Sequence, residues 1–182
     1  MTTALFAQPQ LDLAPLASFR VLDPAMADAL LTAWGHYLGP CERPFGRQDF
    51  ALAVDGAVVC VATSASAVSS TVASFRRDEV VELARLCRAP DAPWATRVCL
   101  RLWREVGAPR WPYWKPRAYT AYSQRNRHDG DVYRFDGWRR VEGRHGSSGG
   151  GTWTKERGAD HQARGPKDLW IYEPPHEEPR CL

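Results

Sequence analysis

The sequence predicts one α/β domain built on a mixed β-sheet flanked by helices, and three observations point there. Asp55-Gly56 sits between two apolar runs, Phe50 to Val54 and Ala57 to Val61, and an Asp-Gly pair in that setting is a strong hairpin signal. Val80 to Arg88 then runs through the Pro-rich turn Ala89 to Pro93 into a helical stretch closed by Gly107. A further apolar and aromatic segment, Ala118 to Tyr122, is followed by a polar loop, a short helical stretch and Gly137-Trp138. Strand, helix and strand in that succession describe a sheet with crossovers rather than separate all-α and all-β parts.

Taken in order, Asp23-Pro24 predicts a helix start, with Asp as cap and Pro at the first helical position. Met26, Leu30, Leu31 and Trp34 follow at helical spacing, with an end near Gly35 or Gly39. The Ser- and Ala-rich Thr63 to Ser74 reads as a loop extending the hairpin. Val80 to Arg88 is ambiguous, since its composition favours helix while its length and position suit a buried strand. As a regular strand it would set Glu82, Ala84 and Leu86 on one face and Val81, Leu83 and Arg85 on the other. The helix after Pro93 has the stripe Trp94, Val98, Leu102 and Val106. Asp131 to Asp136 reads as a short helix stopped by Gly137, a strand is expected from Trp138 on, and Leu169 to Tyr172 reads as the last strand. The Gly/Ser-rich His145 to Gly151 is expected to be mobile. The domain is set at 21–173, with an extension at 1–20 and a Pro/Glu tail at 174–182.

A length of 182 residues and 44% apolar content suffice for one core and argue against two large domains. No run of about 18 uncharged apolar residues is present, and MTTALFAQPQ lacks the basic start of a signal peptide. A cytoplasmic protein with no membrane partner is expected. The five cysteines stand singly, without a CxxC pair, which speaks against a zinc ribbon or a disulfide framework. Charge is uneven: residues 1–75 carry 3 Arg/Lys against 6 Asp/Glu, 76–140 carry 15 against 8, and 141–182 carry 6 against 7. The basic middle interleaves arginine with Trp111, Tyr113, Trp114, Tyr119 and Tyr122, a mixture suited to phosphates and unstacked bases or, equally, to a solvated Arg-rich surface. P-loop, dinucleotide-fold, nucleophile-elbow and HExxH patterns are missing.

Several short motifs occur in a meaningful order: His36-Tyr37 after the first helix, Glu82-Leu83-Ala84-Arg85-Leu86, Ala95-Thr96 opening the long helix, His128-Asp129-Gly130-Asp131-Val132-Tyr133, Gly137-Trp138, and Lys167 with Trp170-Ile171-Tyr172. With the element order of the GNAT acyltransferase fold, this set resembles the Mom-like branch, bacteriophage DNA-modification proteins that add a small group to adenine. The resemblance spans about Trp34 to Tyr172. Two positions depart from pattern: Ser123 stands where the branch has Asp, and the turn into the helix lacks the Gln/Arg-x-x-Gly-x-Gly/Ala run with which GNAT enzymes cradle the coenzyme A pyrophosphate.

Transfer to an exocyclic amine requires a base, donors for a developing oxyanion and a site holding both reactants. His36, the only His of the N-terminal half, has a side chain suited to proton transfer, though a lone His is as readily a helix-end residue. Arg85 in an apolar strand is a candidate for binding phosphate, carboxylate or carbonyl oxygen, because buried Arg needs a partner. Glu82 is a candidate base acting through water, or a partner for another Arg. The resemblance implies that Tyr133 protonates the leaving group and that Ser123 and His128 orient the acceptor. It also implies a donor site at Leu86, Thr96 and Arg97, near a helix N-terminus that favours phosphate, and acceptor or nucleic-acid contacts at Tyr37, Tyr122, Arg125, Arg127, His128 and Lys167. The donor is expected to be acetyl-CoA or another activated acyl group, aminoacyl-tRNA included. DNA is the expected partner and tRNA a further one. Whether a metal joins His36, His128, Glu82 and Asp129 stays open, since their spacing matches no ligand pattern. Three functions are compatible with this reading: a Mom-like transferase acting on adenine in DNA, an N-acyltransferase for a small amine, peptide or aminoacyl-tRNA-linked group, and a non-catalytic nucleic-acid binder on the same scaffold.

Overall fold

The computed structural model describes residues 16–43, 45–145 and 166–175. A seven-stranded sheet in the order β1-β2-β3-β6-β7-β9-β8 carries the fold. Its members are β1 (Ala17–Leu22), β2 (Arg47–Val54), β3 (Ala57–Ala65), β6 (Val80–Arg88), β7 (Ala118–Gln124), β8 (Arg139–His145) and β9 (Lys167–Tyr172). All neighbours are antiparallel except β6 and β7, which run parallel. A small hairpin, β4 (Thr71–Val72) and β5 (Phe75–Arg76), is inserted after β3, where the sequence predicts only loop. Helix α1 (Pro24–Ala33) covers one face of the sheet. Helices α2 (Ala95–Leu102) and α3 (Asp131–Phe135) cover the other.

Local chemistry explains most of these elements. Asp55 and Gly56 both have positive φ, 49° and 80°, the backbone that a two-residue hairpin between twisted strands requires. Asp23 caps α1 by accepting from the N–H groups of Ala25 and Met26, with Pro24 at the first helical position. The ambiguous Val80 to Arg88 is a strand because β3 and β7 flank it: Val80 to Ala84 is buried on both faces, and ladder pairing overrides its helix propensity. The edge strand β1 begins at Ala17, inside the stretch that sequence patterning set aside as an extension. The expected mobility of His145 to Gly151 concerns residues that, after His145, lie outside the described set.

Helix α2 turns a different face inward from the one its large residues suggest. Trp94 is 50% exposed and Val98 42%, whereas Ala95, Cys99, Leu100 and Trp103 are buried. Small side chains at 95 and 99 let the helix approach β2 and β3 closely, and Trp103 fills the remaining volume. The helix then widens into a π turn over Trp103–Gly107. Likewise Met26 of α1 is exposed while Ala27 and Leu31 pack against the sheet. Trp103 donates its indole N–H to Ser64 Oγ at 2.8 Å and stacks on Trp138, with ring centroids 6.2 Å apart.

Asp136, just past α3, ties this layer together. It accepts from Arg104 Nε at 2.7 Å, Arg101 Nε at 2.6 Å and Trp138 Nε1 at 3.1 Å. The buried Arg104 guanidinium also lies 4.3 Å from the Tyr172 ring centroid. Asp136→Ala leaves that buried cation only the exposed Glu105, 3.0 Å from its Nη1, so a loss of about 3 kcal/mol is expected, to be read from urea denaturation. A loss under about 1 kcal/mol, the range of exposed pairs, would contradict this account.

Candidate functional site

The site begins with a break in the sheet. Strands β6 and β7 pair only from Val80↔Ala118 to Leu83↔Ala121, although β6 continues to Arg88 and β7 to Gln124. Beyond Leu83 the strands part, with Glu82 and Thr120 near the apex. The split starts at a bulge: Ser64 pairs with Leu83 but Thr63 with Arg85, so Ala84 is an extra residue on β6. Such an insertion bends its strand and leaves ladder groups unpaired. Backbone N–H and C=O groups along the separated edges are open to an extended ligand, which would take the place of the missing strand contacts.

The bulge also corrects the predicted alternation. Arg85 lies on the same side as Glu82 rather than opposite it. Its Nε donates to Gly39 O at 2.9 Å, Nη2 to Pro40 O at 2.9 Å and Nη1 to Ala84 O at 2.8 Å. The buried guanidinium thus fastens the loop after α1 over β6, and burial lowers its pKa from the ordinary value. It positions the loop, and these carbonyls occupy donors expected to bind a ligand. Glu82 accepts from Arg43 Nη2 at 2.5 Å, a partner that sequence reading missed because nothing in the 41–46 loop marks it.

His36 lies in the fastened loop. Its Nδ1 accepts from the Leu38 N–H at 3.3 Å, and the ring stacks on Tyr37 with centroids 5.1 Å apart. With Nδ1 accepting, the neutral ring carries its proton on Nε2. Burial, then Arg85 and His128, push its pKa down to about 4 from 6.5. The unfolded chain therefore takes up this proton first as pH falls. Its contribution to stability declines between pH 6.5 and about 4 and levels off below. A His36→Gln variant should show a flatter dependence of Tm on pH across that window, and an unchanged slope would refute the assignment.

From the α2 side comes Tyr133, 6% exposed, its ring stacked on Trp170 at 5.8 Å and tilted against Trp138 at 5.5 Å. Among the described residues its hydroxyl has no hydrogen-bond partner. Burial, then Tyr37 and Glu82, raise its pKa above that of an ordinary phenol. Tyr37 and Glu82 thus lie within electrostatic reach of this hydroxyl. Tyr37 also bears the Arg127 guanidinium, 4.9 Å from its ring centroid, which joins the loops on either side of the opening. His128 follows, its pKa lowered chiefly by burial and by Arg127, against an opposing effect of Asp129.

Other expected residues serve the frame. Ser123 is buried and its Oγ accepts from Trp170 Nε1 at 2.9 Å, which occupies it in holding β9 rather than an acceptor. Arg125 is paired with Asp168 at 2.7 Å, Lys167 lies opposite Gln124 at the start of β9, and half-buried Tyr122 packs on the side away from Tyr133. Leu86 packs partly into the α2-side core while its backbone lies on the separated stretch of β6. Thr96 and Arg97 open α2, but the cap position is Trp94 and no side chain caps this end. The Ala95 N–H is bonded to Ala92 O at 3.0 Å, which leaves the amides of Thr96 and Arg97 to face a phosphate. Pro90 and Pro93 in the preceding turn supply no N–H, so this cradle has fewer backbone donors than a glycine-rich one. Donor residues along β6 and at the start of α2 still fit an acyl–coenzyme A. Among the described residues no three His, Cys, Asp or Glu side chains gather as a metal-holding group, and no helix is long and apolar enough to cross a membrane.

No family model and no curated protein matches the sequence. Solved structures do resemble the fold. A mutant of the Vibrio cholerae spermidine N-acetyltransferase SpeG superposes with a TM-score of 0.56 at 8% identity, covering 88% of this chain and 95% of that one. Arabidopsis thaliana NAA60 in complex with a bisubstrate analogue gives 0.57 at 13% identity, over 86% and 98%. Salmonella typhimurium yncA, a putative acetyltransferase with its cofactor acetyl-CoA, gives 0.54 at 12%, over 92% and 99%. Identity this low carries architecture alone, and with the parted β6 and β7 it supports one statement: the chain has the fold of the GNAT acetyltransferases.

Proposed function

We propose that the protein is an N-acyltransferase that moves an acyl group from a coenzyme A thioester to an amine. The observation that carries this reading is the gap between β6 and β7, where the strands part beyond Leu83 and Ala121 and leave backbone groups unpaired. Bound there, the thioester supplies an activated acyl carbon. The backbone of the Leu86 stretch would hold the acyl arm, and the first turn of α2, Thr96 and Arg97, the phosphates. Tyr133 keeps its Oη proton through the neutral range, so it can deliver that proton into the gap. Glu82, at the apex and steadied by Arg43, is the carboxylate placed to receive a proton from an incoming amine, directly or through one water. His36 Nε2–H supplies a donor at the mouth.

The motifs from His36 to Tyr172 support a narrower form of this reading, in which the acceptor is the exocyclic amine of adenine in DNA. Such a base must leave the stack to react. One experiment covers both forms: the purified chain is incubated with acetyl-CoA and a panel of amines that includes polyamines, peptides, adenosine and single-stranded DNA. Amine-dependent release of free thiol and a product heavier by one acetyl group are expected, with thermal protection by acetyl-CoA alone. Protection with DNA but not with acetyl-CoA, and no thiol release, would overturn catalysis in favour of a binding protein.

A further inference from the structure

The acceptor side of the gap holds guanidinium groups that have no carboxylate of their own. Of Arg43, Arg85 and Arg127, only Arg43 makes an ion pair among the described residues, with Glu82, while the neighbouring Asp28 and Asp49 are both engaged by Arg47. Burial first, and then Arg43, lower the pKa of Arg85, against opposing effects of Cys41, Glu82 and Tyr37. Carbonyl partners satisfy the Arg85 hydrogen bonds but leave its charge uncompensated, an unfavourable arrangement for a residue 9% exposed. Arg127 rests on an aromatic ring, and among the described residues it makes no ion pair. Asp129 is the nearby acid of the second loop, and its effect falls on His128. His36 and His128 are held toward their neutral forms, so they add no further positive charge.

A second observation concerns a donor. Arg43 Nη1 is buried without a hydrogen-bond partner, although Nη2 of the same group binds Glu82. A buried guanidinium N–H left unmade costs free energy unless something else accepts from it. An oxyanion would do so, and would also suit Arg127, which has no carboxylate partner among the described residues.

We propose that the acceptor is an amine on a molecule bearing its own phosphate or carboxylate, and that Arg43 Nη1 and Arg127 receive that anion. The field of Arg85 draws the anion in from below, while the Tyr37–Arg127 stack gives it a flat wall. Free polyamines and other purely cationic amines are disfavoured by the same charges. The inference rests on the acyltransfer reading for the word acceptor, but the site can be tested by binding alone.

Calorimetric titrations at low ionic strength compare matched pairs, adenosine with adenosine 5′-monophosphate and phenylethylamine with phenylalanine, on the wild-type chain and on Arg127→Ala. The anionic member of at least one pair is expected to bind at least about tenfold more tightly, the worth of one charge-assisted pair. Arg127→Ala should remove most of that difference and leave the neutral member unchanged. Preference for the nucleotide identifies phosphate, preference for phenylalanine identifies carboxylate, and either supports the inference. Equal or undetectable binding within both pairs, or an anion preference that survives in both Arg127→Ala and Arg43→Gln, overturns it. Thiol release from acetyl-CoA, measured separately, reports on acyl transfer, so failure of one reading is distinguishable from failure of the other.

Discussion

Replacing Gly130 with alanine is expected to lower the thermal midpoint by about 10 °C, given a cost near 3 kcal/mol and the slope usual for a chain of this size. Two causes add. Gly130 has φ 77°, a left-handed conformation in which a side chain costs about 1–2 kcal/mol. A Cβ there would also lie 2.4 Å from Trp170 Cζ2 and 2.6 Å from its Nε1, atoms of a buried indole that Ser123 holds in place. Relief requires the start of α3 to move, and with it Tyr133, three residues on. Acyl transfer should therefore fall together with stability. Circular dichroism melting checks the first effect, and an unchanged midpoint would show that Trp170 yields freely.

Tyr133→Phe should do the reverse, sparing the fold and removing chemistry. The Tyr133 hydroxyl makes no hydrogen bond among the described residues, so its loss leaves no partner stranded. The midpoint is expected to shift by only a degree or two, a change of well under 1 kcal/mol. Its proposed part as proton donor predicts a fall in kcat of about 10² to 10³, with the KM for acetyl-CoA nearly unchanged. Full activity in the variant would remove Tyr133 from the mechanism, and a raised KM with intact kcat would make it a binding residue instead.

These two residues also show how far the sequence could be read. The hairpin at Asp55-Gly56, the capped start at Asp23-Pro24 and the stop at Gly137 are local statements, because each turn demands a particular backbone that few residues supply. Tyr133 is offered as a candidate for a related reason, by its place in a motif close behind Gly130. The inward face of α2 is not legible. Ala95 and Cys99 are buried for their smallness, and a reading that weights apolar bulk chose Trp94 and Val98 instead. Strand β1 is not marked in the sequence because, at the sheet edge, half of its side chains remain exposed and they show little alternation. Arg85 was recognised as unusual, but its role depends on carbonyls 45 and 46 residues away, which no spacing encodes. The partners of Asp136, Arg43 and Ser123 are equally distant in the chain.

The extra residue in β6 reaches beyond the site. A strand that alternates its side chains behaves like a wave of period two, and Ala84 shifts that wave by half a period. Upstream of it even-numbered positions face α1; downstream, odd-numbered ones do. Aligning β6 with an unbulged strand one residue to one residue therefore falls out of phase after Leu83, matching each inward residue to an outward one. Any search for shared catalytic residues along this strand has to open a one-residue gap at Ala84, or it will compare opposite sides of the sheet.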